Sequence, residues 1–94
     1  MRDQVHIAIQ IVPLCTEHQP YTIIDKAIEV IEKSGVDFRV GAMETVMQGD
    51  YDTLMKVAKE AQHICLQSGA DEIVVTMKVH AKRTGTVTWE EKGL

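Results

Sequence analysis

The sequence has 94 residues, of which 45% are hydrophobic and 26% are charged, and its formal net charge is −4. This length suits a single domain over residues 1–94, with a modest core expected within 4–82 and a C-terminal tail over 83–94. Lys and Arg are not clustered, and no apolar run approaches the ~20 residues of a membrane span, so neither nucleic acid nor a membrane is an expected partner.

The first predicted element is a strand over residues 4–13, because apolar and semi-polar residues alternate there until Pro13. Its strongly apolar face carries Val5, Ile7, Ile9 and Ile11. Its semi-polar face carries His6, Ala8, Gln10 and Val12.

The first predicted helix runs from about Pro20 to Ser34, and Gly35 follows at the position that typically ends a helix. Thr22 and Asp25 are three residues apart, so we expect them to form a capping box at its start. An apolar face at helical spacing is expected to pack on the sheet, and it carries Ile24, Ala27, Ile28 and Ile31.

Two strands, a helix and a last strand complete the predicted elements: about Val36 to Met43, about Glu44 to Gln48, about Tyr51 to Ser68, and Glu72 to Lys82. Either Asp50 or Asp52 can cap the second helix. The order β-α-β-β-α-β predicts an α+β, ferredoxin-like sandwich. In that fold two helices cover one face of a four-stranded antiparallel sheet, and strands one and three are central.

The second face of this sheet has no helix of its own, and about half of its residues are small or apolar. We expect another copy of the chain to cover it, giving a homo-oligomer (a dimer or a tetramer) with stacked sheets or joined edges. His6 and His80 could face each other across strands one and four. The tail from Gly85 to Leu94 could add an edge strand to its own sheet or to a neighbour's, with Trp89 as an anchor.

The segment between strands two and three carries Met43-Glu44-Thr45, where a plain hairpin would usually have Asn-Gly or Asp-Gly. Together with Gln10 on the neighbouring strand, Glu44 and Thr45 offer a carboxylate, a hydroxyl and an amide to one small polar ligand. The alternative is an oligomer interface in which the same polar groups are satisfied by a neighbouring copy.

Metal binding has little support in the sequence. Cys15 and His18 have a spacing that zinc permits, but His63 and Cys65 lie two residues apart on a helix and point in different directions. Cys65 is better interpreted as part of the core and His63 as a surface residue. No metal or other cofactor is therefore expected.

Catalysis also has little support. The sequence contains neither a Gly-x-Ser-x-Gly motif nor a glycine-rich phosphate loop. Glu44 could act as a general base only with a proton donor, for which His6 and His80 are the candidates. The first ten residues are too polar for a signal peptide, and the cysteines form no disulfide framework. We expect a cytoplasmic protein that is not an enzyme.

Four segments resemble the thiamine-binding protein family: IAIQIVPL at 7–14, IDKAIEVIEKSGVDFRVGAMET at 24–45, QGD at 48–50 and SGADEIVVTMKV at 68–79. The resemblance covers about residues 5–82. It implies a ferredoxin-like domain that associates through its sheet into dimers and tetramers. It also implies binding of thiamine or its hydroxymethylpyrimidine part, without catalysis.

The resemblance places the ligand-binding residues at Gln10, Gly41, Glu44 and Thr45. Amide, carboxylate and hydroxyl groups match the donor and acceptors of an aminopyrimidine, and a carboxylate suits the cationic thiazolium. Gly41 would let the backbone approach a flat ring closely. Ala42 departs from the family, which often has Pro there. The alternative function is a structural or regulatory oligomerisation module that binds a protein partner through its open sheet.

Overall fold

The computed structural model describes residues 3–17 and 19–93. Its elements are β1 (Val5–Leu14), α1 (Pro20–Ser34), β2 (Asp37–Val40), β3 (Thr45–Gly49), α2 (Tyr51–Gln67) and β4 (Glu72–His80). The four strands form one antiparallel sheet in the order β2-β3-β1-β4, so β1 and β3 are central. This is the predicted ferredoxin-like fold. None of the described helices is long and apolar enough to cross a membrane.

The turn between β2 and β3 occupies residues 41–44, which makes β2 shorter than predicted. The N–H of Gly41 donates to the carbonyl oxygen of Glu44 over 2.9 Å and closes the turn. A Cβ atom on Gly41 would lie 2.9 Å from that same oxygen, closer than real Cβ contacts allow. The packing of the turn on itself is therefore enough to require glycine here.

The two helices begin differently. α1 has Gln19 at its N-cap position with no side-chain hydrogen bond, so the predicted capping box of Thr22 and Asp25 is wrong. Both residues lie inside the helix, which leaves the Asp25 carboxylate available elsewhere. α2 is capped by Asp50, whose side chain accepts from the backbone N–H of Thr53 over 3.1 Å.

The core lies between the helices and the face of the sheet that carries the odd-numbered residues of β1. Ile23, Ala27 and Ile31 are the residues that α1 buries. Ile24 and Ile28, predicted to be core residues, are only half-buried. The apolar face of α1 is therefore rotated slightly from the prediction, and its edge remains accessible beside the sheet.

The C-terminal tail, residues 81–93, returns across the sheet face that the helices leave open, which we call the open face. It forms no strand of its own sheet; its one regular element is a 3-10 turn at Glu90–Lys92. Val87 is fully buried and Trp89 is 5% exposed. Val87 exchanges two hydrogen bonds with Gln4, of 3.1 and 2.7 Å. The tail thereby buries His6, which the sequence predicted to lie on an uncovered face.

Candidate functional site

A cleft of about 580 Å³ lies between the first half of α1 and the β2–β3 turn, next to the end of β1. We call it the α1 cleft. Its floor and walls are mainly apolar, and they come from β1, from α1 and from the segment that joins β2 to β3. The lining residues are Ile9 to Pro13, Pro20, Tyr21, Ile24, Asp25, Ile28 and Val40 to Thr45.

Large apolar side chains are exposed at the mouth of the α1 cleft. Tyr21 is 79% exposed, Met43 is 74% exposed and Val40 is 54% exposed. Tyr21 and the half-buried Ile24 and Ile28 follow the edge of α1 that the rotated helix leaves accessible. Exposed apolar side chains grouped around a concavity are typical of binding surfaces.

The predicted site residues Gln10, Gly41, Glu44 and Thr45 all line the α1 cleft, but their side chains do not converge. Thr45 pairs with Ile9 and is buried on the helix side of the sheet. Gln10 pairs with Thr76 and, by strand alternation, points to the open face. The side chains of Thr45 and Gln10 therefore lie on opposite faces of the sheet.

The Glu44 carboxylate is also directed to the open face. Its Oε1 atom lies 2.6 Å from the Nζ atom of Lys78 in β4. Lys78 pairs with Ala8, an open-face residue of β1. Glu44 therefore borders the α1 cleft while its charge is used in an ion pair on the other side of the sheet.

Asp25 is the carboxylate of the α1 cleft that sequence reasoning missed. Its carboxylate makes no hydrogen bond or ion pair with any residue in the described ranges 3–17 and 19–93. Tyr21 and Asp25 are four residues apart on α1, so an aromatic ring and a carboxylate share one side of the helix. This spacing could have indicated a binding role for Asp25, but the sequence pattern assigned Asp25 to a capping box instead.

A second pocket, of about 310 Å³, lies on the open face. We call it the open-face pocket. Its floor is Ala8 and Val46, and its rim carries several ionisable side chains. The lining residues are His6, Ala8, Glu44, Val46, Lys78, Val79, His80 and Lys92.

His6 forms one end of the open-face pocket beneath the tail. Its Nδ1 atom accepts a hydrogen bond of 2.7 Å from Nζ of Lys92, so its proton lies on Nε2, which donates to Oε1 of Gln48 over 2.9 Å. Burial lowers the pKa of His6, the bond to Gln48 and the nearby carboxylate of Glu91 partly oppose this, and the proximity of Lys92 and His80 lowers the pKa further. A ring whose Nδ1 accepts and whose Nε2 donates is a neutral imidazole.

Trp89 covers His6 from the tail. The two ring centroids are 4.4 Å apart, and the indole Nε1–H donates to Oδ2 of Asp37 over 2.8 Å. The guanidinium of Arg39 lies 5.0 Å above the indole ring, within the range of a cation–π contact. These contacts to β1 and β2 anchor the tail on the sheet.

Within residues 3–17 and 19–93, no group of three or more His, Cys, Asp or Glu side chains could hold a metal ion. His18, which the sequence placed beside Cys15, lies outside the described residues. His6 and His80 are paired across β1 and β4, as predicted.

The model of the family described as "Thiamine-binding protein" matches residues 7–93, which is most of the chain and includes both helices, β1 from Ile7 onward, the other three strands and the tail. The chain belongs to this family. A UPF0045 protein of Clostridium perfringens is 40% identical over 90 residues, covering 96% of this chain and 94% of that protein. A UPF0045 protein of Methanocaldococcus jannaschii is 32% identical over 84 residues, covering 89% and 83%.

Solved structures that are similar to this chain have the same fold. A domain of unknown function from Bacillus cereus superposes with a TM-score of 0.92 at 41% identity, covering 96% of this chain and 86% of that one. A candidate thiamine biosynthesis/salvage protein from Thermotoga maritima superposes with a TM-score of 0.83 at 30% identity, covering 95% and 94%. Membership therefore associates the chain with thiamine, while the ligand of this chain is a separate question.

Proposed function

We propose that this protein binds thiamine or a related aminopyrimidine in the α1 cleft and does not convert it chemically. The observation that carries the proposal is the combination, in one apolar cleft, of an exposed aromatic ring and a carboxylate without a partner among the described residues. Family membership and the Thermotoga maritima relative support the choice of thiamine over other flat cations.

The dimensions and the lining of the α1 cleft suit such a ligand. Its volume of about 580 Å³ falls within the range of about 300–1,000 Å³ that small-molecule pockets occupy. Tyr21 offers a ring face to the cationic thiazolium, and Met43 offers a polarisable side chain to either ring. Asp25 supplies the negative charge that a buried or half-buried cation requires.

The predicted residues take modified roles in this proposal. Gly41 and Glu44 shape the cleft through the turn that their backbones close. Thr45 and the backbone of Gln10 border the inner end, where a hydroxyl and peptide groups can meet the pyrimidine nitrogens. The Glu44 side chain remains with Lys78, so Asp25 replaces it as the carboxylate that faces the thiazolium.

Isothermal titration with thiamine and, separately, with hydroxymethylpyrimidine tests this function. We expect saturable binding of both, and Asp25→Asn should raise the Kd for thiamine about tenfold, as expected for a lost hydrogen-bonded charge pair. Hydroxymethylpyrimidine lacks the thiazolium charge, so its Kd should change less.

Glu29→Gln is the matched control, because Glu29 is a carboxylate on the same helix that pairs with Lys33 away from the α1 cleft. It should leave both affinities unchanged. Absence of binding by the folded protein would refute the proposal. Equal affinities of the Asp25→Asn variant and the unmodified chain would refute the role of Asp25.

A second candidate function is self-association through the open face. Val12, Leu14 and Val74 are 43%, 44% and 57% exposed and lie beyond the area that the tail covers, with Val12 and Val74 directly paired. Such a patch fits a copy of the same chain. Val74→Glu should then lower the mass seen by sedimentation velocity. Leu66→Glu, at an equally exposed position on α2, should not.

A further inference from the structure

We propose that the open-face pocket binds a small organic oxyanion, that is, a phosphate or carboxylate group on a compact apolar body. This site is distinct from the α1 cleft. The two concavities share only Glu44 among their lining residues. The α1 cleft lies beside the helix, whereas the open-face pocket lies on the other face of the sheet. The proposal therefore goes beyond the proposed function and does not depend on it.

The charges around the open-face pocket are unbalanced. Its rim has two ammonium groups, Lys78 and Lys92, and the imidazole of His80, but Glu44 is the one carboxylate among its lining residues. Glu44 is already paired with Lys78 over 2.6 Å. A cationic excess is notable in a chain whose formal net charge is −4.

Lys92 carries this excess. Its Nζ atom donates to the neutral Nδ1 of His6 and forms no ion pair with a carboxylate within residues 3–17 and 19–93. An ammonium has three donor hydrogens and binds an anionic acceptor more strongly than a neutral one. His6 uses one of those hydrogens and orients the ammonium at the end of the pocket, so an oxyanion could take the others.

The shape of the pocket indicates what accompanies the anionic group. Ala8 lies in the central strand β1, directly between Val46 of β3 and Lys78 of β4. Because its side chain is a single methyl among longer neighbours, the sheet has a depression there with an apolar floor. A volume of about 310 Å³ exceeds the needs of a bare oxyanion and leaves space for an apolar body over Ala8 and Val46.

Titration calorimetry of the full chain at fixed ionic strength tests the proposal, with phenyl phosphate, benzoate and inorganic phosphate as anionic probes and phenol as the neutral control. We expect saturable binding of at least one of the two aromatic anions, and no binding of phenol. Tighter binding of phenyl phosphate than of benzoate would assign a phosphate ester, and the reverse would assign a carboxylate.

Lys92→Gln should raise the Kd of the bound anion about tenfold, because it removes the charge but retains a donor for His6. Lys33→Gln, on the exposed side of α1, is the matched control for the loss of one positive charge and should leave the Kd unchanged. Ala8→Val should also weaken binding, because it fills the floor of the pocket without changing any charge. The fluorescence of Trp89 reports whether each variant keeps its tail in place.

The proposal is overturned if neither aromatic anion binds, or if Lys33→Gln weakens binding as much as Lys92→Gln does. It is also overturned if no probe binds while Lys92→Gln changes the sedimentation coefficient. That result would mean that a carboxylate of a second copy occupies the pocket. Thiamine titrations of the same variants keep the two functions separate, since Lys92→Gln should not alter binding in the α1 cleft.

Discussion

Lys92 and His6 are 86 residues apart in the sequence, yet the ammonium of the first donates to Nδ1 of the second over 2.7 Å. This bond connects the last turn of the tail to the central strand. It requires a neutral imidazole, because a protonated Nδ1 could not accept it and would repel the ammonium. The closure of the tail over the open face is therefore linked to the protonation of one buried histidine.

The first prediction is that the free energy of unfolding falls as the pH is lowered below about 6.5. The pKa of His6 is lowered in the folded state, chiefly by burial, from the ordinary histidine value of 6.5. Between the lowered pKa and 6.5 the unfolded chain binds more protons than the folded chain, so stability rises with pH there. Above 6.5 this contribution is complete.

Urea unfolding over a series of pH values measures this dependence. His6→Gln should reduce the slope in that window, because the titrating group is gone. His80→Gln, at the exposed position paired with His6, is the control and should retain most of the slope. An unchanged slope in the His6→Gln variant would contradict the assignment.

The second prediction concerns Trp89, the only tryptophan in the sequence. Trp89→Ala should lower the free energy of unfolding by about 3 kcal/mol, because it removes a large buried ring and the bond from Nε1 to Asp37. Trp89→Phe keeps most of the apolar contact and should cost about 1 kcal/mol. Far-ultraviolet circular dichroism in urea measures both without the indole signal. Equal losses in the two variants would contradict the role of ring burial.

The third prediction is that the ion pair between Glu44 and Lys78 contributes little to stability despite its length of 2.6 Å. The side chain of Lys78 is 69% exposed and that of Glu44 is 27% exposed. Water screens such a pair, and exposed pairs are typically worth less than about 1 kcal/mol. A double-mutant cycle with Glu44→Gln and Lys78→Gln measures the coupling, and a value of several kcal/mol would show a buried pair instead.

The fourth prediction is that Asp50→Ala destabilises the protein by about 1 kcal/mol, because the carboxylate accepts from the N–H of Thr53 at the start of α2. Asp52→Ala is the matched control at the second residue of the helix, where no cap bond is made. Chemical unfolding of both variants distinguishes them. A larger loss of stability for Asp52→Ala than for Asp50→Ala would contradict the assignment of Asp50 as the cap.

Local patterns were sufficient for most of the fold. Alternation along β1 correctly divided Ile7 and Ile9 from His6 and Ala8, because successive side chains of any strand point to opposite faces. Gly35 ends α1 as predicted. A helix often ends on a residue with left-handed backbone conformation, and glycine adopts that conformation without steric strain because it has no Cβ. The family resemblance likewise rested on local motifs, and the family match confirms it.

Local patterns failed where a residue's role depends on a distant neighbour. Asp25 fits a capping box by spacing, but Gln19 holds the N-cap position and Asp25 lies inside the helix, so its carboxylate borders the α1 cleft instead. The motif suggests that Glu44 binds a ligand, but its carboxylate forms an ion pair with Lys78 of β4. The spacing of residues within one segment does not show which residue of another strand will lie beside them.

The sequence by itself determined the order of the elements, the two faces of each strand and the family, because these follow from backbone geometry and from the periodic burial of apolar side chains. Only the tertiary structure decided that the tail lies over His6, that Trp89 joins Asp37, and that two separate concavities form on opposite sides of one sheet. Those relationships depend on contacts between residues that are far apart in the chain, and such contacts exist only after the chain has folded.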